Sequence, residues 1–173
     1  MLVDALNQQS RVKKNEVYYL INPGGDLKTS EQRFQPVIEK CKTWKGLAGV
    51  KPNEEKIVDD ILDSKLFVYI GHGGCDQYVK PSELQDHGRF EPSGGIFNWL
   101  NCGSPLVLAN LWDVTDKDID AFTLSMFSKW GLIDEDGEKI NIAEAVRLSR
   151  EVCILKYLNG SAPIIYGLPL MTS

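Results

Sequence analysis

The chain has 173 residues, 43% of them hydrophobic and 25% charged, and its formal net charge is −5 at pH 7. This composition is typical of one globular domain with a substantial core. The negative charge argues against non-specific binding to nucleic acid, and no apolar run approaches the roughly 20 residues of a membrane-spanning helix. We therefore expect one soluble domain over residues 1–173.

The four cysteines are isolated along the chain, at Cys41, Cys75, Cys102 and Cys153. They show no C-x-x-C pairing and no regular framework, and the first residues carry no signal-peptide pattern. A reducing intracellular compartment with free thiols is the simpler interpretation. Residues 1–9 have near-helical apolar spacing and begin abruptly, which suggests a fragment of a larger protein.

Short apolar runs alternate with helical patterns along the rest of the chain. Glycine, proline and asparagine punctuate these runs, as in Asn22-Pro-Gly-Gly after the first strand. We expect Pro36 to break the first helix, and Ile96, Phe97 and Leu100 to be buried. Predicted strands cover residues 17–21, 44–50, 66–70, 105–112 and 163–168, and predicted helices cover residues 31–40, 53–62, 93–100, 115–130 and 141–158. This order predicts an α/β fold with a mostly parallel central sheet flanked by helices.

His72 follows the most apolar of these strands, residues 66–70, which we expect to be buried on both faces. Glycines flank the histidine, and ligands of parallel α/β sheets bind at the carboxyl ends of the strands. The N–H of Gly73 could there face an oxyanion, as in acyl-transfer sites. A Gly-His-Gly triplet is weak evidence alone, so purely local hydrogen bonding of His72 stays open. The other histidine, His87, lies in a polar loop and is expected to be solvated.

Four aspartates follow the strand that ends near Trp112, at positions 113, 116, 118 and 120. Asp116 and Asp120 are four residues apart and would share a helix face, while Asp113 lies at the strand terminus. Such carboxylates could pair with an arginine guanidinium in a substrate pocket. Helix capping with a solvated acidic face is the alternative, and we favour it for Asp118. A metal site is less favoured, because the spacing does not match a calcium loop.

A histidine base usually serves a nucleophile, but no cysteine is well placed for that role. Cys75 is too close in sequence to His72 to lie on the neighbouring strand. Cys102 precedes a strand instead of following one, and Cys41 and Cys153 lie away from the inferred edge. The residues alone therefore indicate a base without a partner.

Two stretches closely resemble the protease domain of separases. They are Tyr-Ile-Gly-His-Gly-Gly at residues 69–74 and Gly-Ser-Pro-Leu-Val-Leu-Ala-Asn-Leu-Trp-Asp-Val-Thr-Asp-Lys-Asp-Ile-Asp at residues 103–120, with further similarity at 17–23, 44–46 and 88–91. The resemblance implies a caspase-like fold and a cysteine endopeptidase that cleaves the kleisin subunit of cohesin after arginine at anaphase. It also implies inhibition by securin as a pseudosubstrate, a location in nucleus and cytoplasm, and no metal or organic cofactor.

The resemblance also implies the roles of individual residues. His72 matches the catalytic histidine, and Gly73 matches the donor to the oxyanion. The carboxylates implied for the arginine pocket are, in order of preference, Asp120, Asp116 and Asp113, and the residues implied at its walls are Trp112, Asn22 and Pro23.

The chain departs from the separase pattern where the nucleophile should be. Between the His72 strand and residues 88–91 the family has a further buried strand ending in Gly-Cys-Ser-Ser, and neither occurs here. A strand with its connections needs on the order of 15 residues, and residues 76–87 hold no apolar run. We therefore expect one central strand to be missing, with a gap near residues 83–86. Three explanations are ranked in order: a segment left out of the sequence, an engineered deletion, and an inactive natural paralogue.

Two other functions compete with the protease. The runner-up is a non-catalytic module that captures arginine-containing segments through residues 113–120. A serine hydrolase using His72-Gly-Gly as its oxyanion loop is improbable, because the chain has no G-x-S-x-G motif.

Overall fold

A computed structural model describes residues 11–79, 95–134 and 140–173 of the chain. Its elements, in chain order, are β1 (Arg11–Val12), β2 (Val17–Ile21), α1 (Lys28–Lys40), β3 (Lys45–Ala48), α2 (Glu54–Leu62), β4 (Leu66–Ile70), a 3₁₀ turn (Cys75–Gln77), α3 (Gly95–Asn101), β5 (Leu106–Asn110), α4 (Asp116–Lys129), α5 (Ile142–Ser149), a second 3₁₀ turn (Arg150–Val152), β6 (Pro163–Gly167) and β7 (Met171–Thr172). The helix predicted at residues 1–9 and the gap predicted near 83–86 lie outside the described residues.

The chain divides into two compact units. We call Asn15–Pro105 the histidine unit, and Met1–Lys14 together with Leu106–Ser173 the acidic unit. One protease domain over residues 1–173 stays a prediction.

A three-stranded parallel sheet in the order β3-β2-β4 forms the centre of the histidine unit. β2 is buried along its whole length, as its β-branched and aromatic sequence predicts. Ile21 pairs with Ile70 at the carboxyl ends of β2 and β4, and the next backbone N–H, that of Asn22, donates to the Ile70 carbonyl at 2.7 Å. The loop at Asn22 and the segment at His72 therefore leave the same edge of the sheet, as predicted.

Helix α2 covers one face of this sheet. The Asn53 side chain caps its start by accepting hydrogen bonds from the backbone N–H groups of Glu55 and Lys56, which confirms the predicted N-terminus. The helix then buries Ile57 and Ile61, which belong to a core cluster completed by Tyr18, Leu20 and Val79. The position of His72 is thus set by a strand and a helix that share one core.

The prediction that Pro36 breaks the first helix is wrong, because α1 runs through it without interruption. A proline in a helix interior removes the hydrogen bond to the carbonyl four residues earlier, here that of Gln32. Pro36 and Gln32 are both exposed, so water can hydrate the carbonyl that loses its partner. Phe34, only 2% exposed, anchors the other face of the helix in the core.

Helix α3 forms where expected, but the prediction of its buried residues is wrong: Phe97 is 65% exposed, and Ile96 and Leu100 are only half-buried. Asn98 is buried instead. Trp99 packs against Phe67 of β4, with 5.8 Å between the ring centroids. Helix α3 therefore turns a different face inward from the predicted one. We attribute this to the Trp99–Phe67 contact, because a large aromatic pair buries more apolar surface than Phe97 alone.

In the acidic unit, β5 and β6 form an antiparallel pair and β1 and β7 form a short parallel pair. Helix α4 buries Phe122, Met126 and Phe127 and is followed by Gly131 at φ +75°, which confirms the predicted stop. The indole N–H of Trp130, just after the helix, donates to the Leu170 carbonyl at 3.0 Å.

The helix predicted over residues 141–158 is too long, because α5 ends at Ser149 and a single 3₁₀ turn follows. The backbone N–H groups of Ile154 and Leu155 donate to the Asp118 carboxylate, so they are not used in helical bonds. Val152 and Leu155, which a continuous helix would turn inward, are 42% and 48% exposed.

In the part of the chain that the structure describes, every strand except β2 has an edge without a strand partner. There, β4 is bonded only to β2, and β5 is bonded only to β6. In β4 only Val68 is buried and the other four residues are half-buried, so the expectation of full burial on both faces is wrong. Every open sheet ends in such edges, so the open edges of β4 and β5 do not by themselves locate a missing strand.

Candidate functional site

His72 stands two residues beyond the end of β4, with an accessible imidazole. Its side chain is 63% exposed, and its Nε2 lies 3.7 Å from Oδ2 of Asp26, which is itself 61% exposed. Asp26 belongs to the loop after β2, so two neighbouring strand ends bring these side chains together. The sequence analysis did not include Asp26 in the site. Its position four residues after Asn22, in a loop predicted at the same sheet edge as His72, could have indicated it.

Gly73 follows His72 with a φ of +66°, in the left-handed region that favours glycine, and it is exposed. The carbonyl of His72 accepts two hydrogen bonds, from the Tyr69 hydroxyl at 2.9 Å and from Nε2 of Gln77 at 2.6 Å. The histidine side chain is therefore open to solvent while its backbone is held in place.

Asn22 and Pro23, predicted at a pocket wall, are both buried at the start of the loop that carries Asp26. Asn22 has φ +51°, its Oδ1 accepts from the Leu27 N–H at 2.8 Å, and its Nδ2 donates to Glu31 at 2.7 Å. These bonds use the Asn22 amide to shape the loop. Contact of Asn22 or Pro23 with a substrate stays a prediction.

In the acidic unit, burial divides the aspartates into two pairs. Asp113 and Asp116 are exposed, as is Trp112 at 42%, whereas Asp118 and Asp120 are 3% and 1% exposed. Asp120 has an interaction partner within the structure. The carboxylate ranked first for binding arginine is therefore withdrawn from solvent, and the two ranked below it are accessible. The role of all three stays a prediction.

Asp118 is a structural residue, so the expectation of a solvated carboxylate is wrong for it. Its oxygens accept hydrogen bonds from the backbone N–H groups of Ile154 and Leu155, at 3.0 and 2.9 Å, and from Nδ2 of Asn159 at 2.9 Å. Burial by itself would raise the pKa of Asp118, but these three hydrogen bonds outweigh it and hold the pKa below its ordinary value. The carboxylate thereby fixes the segment that follows α5.

The surroundings of Cys75, Cys102 and Cys153 disfavour the thiolate form of each side chain. Burial, with a smaller contribution from the Asp76 carboxylate, raises the pKa of Cys75 to about 12. Burial also raises the pKa of Cys102 and of Cys153. Since the thiolate is the reactive form, these shifts disfavour the reactive form of all three side chains near neutral pH. The described residues hold no group of three or more His, Cys, Asp or Glu side chains that could bind a metal, and none of their helices is long and apolar enough to cross a membrane.

Together these features define an α/β protein with a histidine site at the carboxyl edge of a parallel sheet. A model of the family described as "Separin, protease domain" matches residues 1–119. Separins from Saccharomyces cerevisiae and Schizosaccharomyces pombe are 39% and 37% identical over 91% of this chain, and the Mus musculus separin is 29% identical over 92%. The chain belongs to the separin, or separase, family and corresponds to its protease domain.

Solved structures agree with this assignment. The crystal structure of the Saccharomyces cerevisiae separase–securin complex at 2.6 Å resolution superimposes with a TM-score of 0.83 at 38% identity, covering 94% of this chain and 13% of that chain. The same complex at 3.0 Å gives a TM-score of 0.81. The chain therefore has the caspase-like fold of separase, as predicted. It spans about a tenth of the length of the curated relatives, between 8% and 11%.

Each alignment with a relative has more positions than the number of residues of this chain that it covers. The alignment with the Saccharomyces cerevisiae separin has 184 positions but uses 91% of 173 residues, about 157, so about 27 positions of the relative face gaps in this chain. The Schizosaccharomyces pombe alignment has 180 positions for the same share, which leaves about 23. Either number is enough for one strand with its connections.

Proposed function

We propose that this chain is most of the catalytic domain of a separase, a cysteine endopeptidase that cleaves the kleisin subunit of cohesin after arginine. The observation that carries the proposal is the exposed His72, followed by the left-handed Gly73, at the carboxyl edge of a parallel sheet. Family membership supplies the class of chemistry, since separases are cysteine proteases. We place the intact protein in nucleus and cytoplasm, where its proposed substrate is found.

In the proposed reaction His72 takes the proton of a cysteine thiol, and the thiolate attacks the carbonyl carbon that follows arginine. The carbonyl oxygen becomes an oxyanion and accepts a hydrogen bond from the Gly73 N–H. His72 then gives its proton to the leaving amine, the C–N bond breaks, and a thioester remains. His72 next takes a proton from water, which attacks the thioester; the C–S bond breaks, His72 returns the proton to the sulfur, and the new carboxylic acid ionises to the carboxylate.

The nucleophile of this scheme belongs to a strand that the sequence lacks. The alignment supports its absence, since about 27 positions of the Saccharomyces cerevisiae relative face gaps here. The high pKa of Cys75 is a further support, because it removes the cysteine nearest to His72 in sequence from consideration.

We propose that the carboxylates of Asp113 and Asp116 recognise arginine, because both are exposed and can contact a guanidinium without a change in the fold. Asp120 is ranked below them because its carboxylate is 1% exposed. By analogy with the separase–securin complex of Saccharomyces cerevisiae, securin is the proposed inhibitor. An arginine-containing securin segment would occupy the same acidic pocket as substrate.

The test uses the full-length protein expressed from its intact gene, with a fluorogenic arginine peptide and an arginine acyloxymethyl ketone probe. We expect turnover and covalent labelling, both blocked by a securin peptide. The matched control is a substrate in which lysine replaces arginine, since lysine keeps the charge and loses the bidentate contact. Absence of both turnover and labelling would overturn the enzyme proposal.

One observation favours a second candidate, a non-catalytic module that binds arginine-containing segments. No thiol of this chain with a resolved environment is activated, while Asp113 and Asp116 remain open to a ligand. This candidate predicts binding of an arginine peptide by the full-length protein without cleavage. Fluorescence anisotropy with the same peptide, followed by mass spectrometry of the product, separates the two.

A further inference from the structure

Two side chains converge on the backbone next to the proposed catalytic histidine. The Tyr69 hydroxyl and Nε2 of Gln77 both donate to the His72 carbonyl, at 2.9 and 2.6 Å, and Gln77 also donates to the Tyr69 hydroxyl at 3.2 Å. The three groups form a closed triangle of hydrogen bonds. Neither side chain contacts the imidazole in these bonds, so their effect is on the backbone.

A carbonyl held from two directions fixes its whole peptide unit, because the peptide bond is planar. The carbonyl of His72 and the N–H of Gly73 belong to the same unit, and in a trans peptide they point in opposite directions. No peptide bond in the described residues is cis. Holding the carbonyl in one direction therefore holds the Gly73 N–H in the opposite direction.

The surrounding sequence is built to allow this arrangement. A Cβ atom added at Gly71 would lie 2.5 Å from the Tyr69 hydroxyl oxygen, so only glycine lets the phenol fold back over the chain. Gln77 lies in the 3₁₀ turn Cys75–Gln77, and Val79, fully buried two residues later, anchors that turn in the core. The rings of Tyr69 and Tyr78 pack with centroids 6.3 Å apart.

The protonation state of Tyr69 suits a donor. Burial, partly offset by the hydrogen bond from Gln77, raises the pKa of Tyr69 to about 12. The hydroxyl therefore keeps its proton at neutral pH and can donate to the carbonyl while accepting from Gln77.

We propose that Tyr69 and Gln77 are positioning residues that aim the Gly73 N–H at the developing oxyanion. The proposal rests on the proposed function of Gly73 and adds the two side chains that orient it. An oxyanion donor stabilises the transition state more than the ground state, so a loss of aim lowers kcat and leaves KM nearly unchanged. A residue that only holds the fold would instead lower thermal stability and leave kcat per folded enzyme unchanged.

The experiment uses the full-length protein with Tyr69→Phe, which removes one hydroxyl, and Gln77→Leu, which keeps the approximate shape and removes the donor. Matched controls are Tyr157→Phe, at a side chain 87% exposed, and Gln35→Leu, which loses only an exposed bond to Glu39. We expect kcat to fall about ten-fold in each test variant, the typical effect of one hydrogen bond. The double variant should fall less than the product of the two, because both side chains act on one carbonyl. KM and the melting temperature should stay unchanged, as should kcat in the controls.

Hydrogen exchange measured by mass spectrometry tests the positioning without requiring activity. Backbone amides of residues 71–77 should exchange faster in both test variants than in the unsubstituted protein, and peptides elsewhere should not change. Unchanged exchange in this segment, or unchanged kcat in an active enzyme, would overturn the proposal. Faster exchange in a protein with no turnover would support the positioning role and locate the failure in the proposed function.

Discussion

In the histidine unit the side chain proposed as catalytic is open to solvent and its backbone is held by neighbours, whereas in the acidic unit the buried Asp118 carboxylate itself holds the backbone of a neighbouring segment. His72 is 63% exposed, and two side chains fix its carbonyl. Asp118 is 3% exposed and fixes the N–H groups of Ile154 and Leu155. Both units thus use hydrogen bonds between side chains and the backbone, with opposite results. In the histidine unit these bonds leave the His72 side chain accessible, and in the acidic unit they occupy the Asp118 side chain.

The difference follows from position relative to the end of a strand. His72 and Asp113 follow the ends of strands, and Asp116 is the first residue of α4; all three are exposed. Asp118 and Asp120 lie in the first turns of α4, on the side turned into the unit. A cluster of like residues in sequence is therefore not one functional cluster in space.

The largest effect that tests this comparison is expected from His72→Gln in the full-length protein. Loss of the acid–base group should reduce turnover of an arginine peptide by about 10²- to 10⁴-fold. His87→Gln is the matched control and should keep full activity. Equal loss in the two variants would contradict the assignment of His72.

Asp118→Ala should give the largest loss of stability in the acidic unit. Truncation leaves two backbone N–H groups and the Asn159 amide without their buried acceptor, at a cost of about 3 kcal/mol. Urea unfolding measures this change, and Asp116→Ala, at an exposed neighbour, is the control. A loss no larger than that of the control would show that the three bonds contribute little.

The contribution of Asp118 should also depend on pH. Its pKa is lowered in the folded protein, so its stabilisation is present above the unfolded value of about 4 and is lost as the pH falls through the folded value. The difference in unfolding free energy between the unsubstituted protein and Asp118→Asn should therefore shrink below about pH 4. A constant difference between pH 6 and pH 3 would disprove this linkage.

A smaller loss of stability is expected at Asn22, which shapes the loop of the histidine unit. Asn22→Ala loses two hydrogen bonds and places alanine at φ +51°, at a cost of about 2 kcal/mol. Asn22→Gly loses the same bonds without the backbone strain and should be less destabilised. Equal unfolding free energies for the two variants would mean that the left-handed conformation costs nothing here.

The smallest effect is expected at Cys75. Its pKa of about 12 keeps the thiol protonated, so Cys75→Ser should leave turnover and probe labelling unchanged. Peptide mapping after brief iodoacetamide treatment should find Cys75 unmodified in the folded protein. Rapid modification, or loss of probe labelling in the variant, would make Cys75 a reactive residue.

The sequence by itself determined most of the elements, the family and the residues at the sheet edge, but not β1, β7 or the end of α5. Local rules suffice for the former, because buried strands need apolar β-branched runs and a cap such as Asn53 is recognisable from its neighbours. The bounds of β2 and β4 agree with the predicted ones. The stretch at residues 103–120, taken together with the weaker motif around His72, was specific enough to indicate the separase family.

Tertiary structure alone decided which polar groups face solvent and which are buried and hydrogen-bonded within the protein. Asp118 satisfies N–H groups about 36 residues away in sequence, and that pairing also ends α5 at Ser149. The Tyr69 and Gln77 bonds to His72 are local, yet they depend on a turn that Val79 anchors in the core. Hydrogen-bond satisfaction is settled by all the neighbours that folding brings together, and a one-dimensional pattern does not contain them.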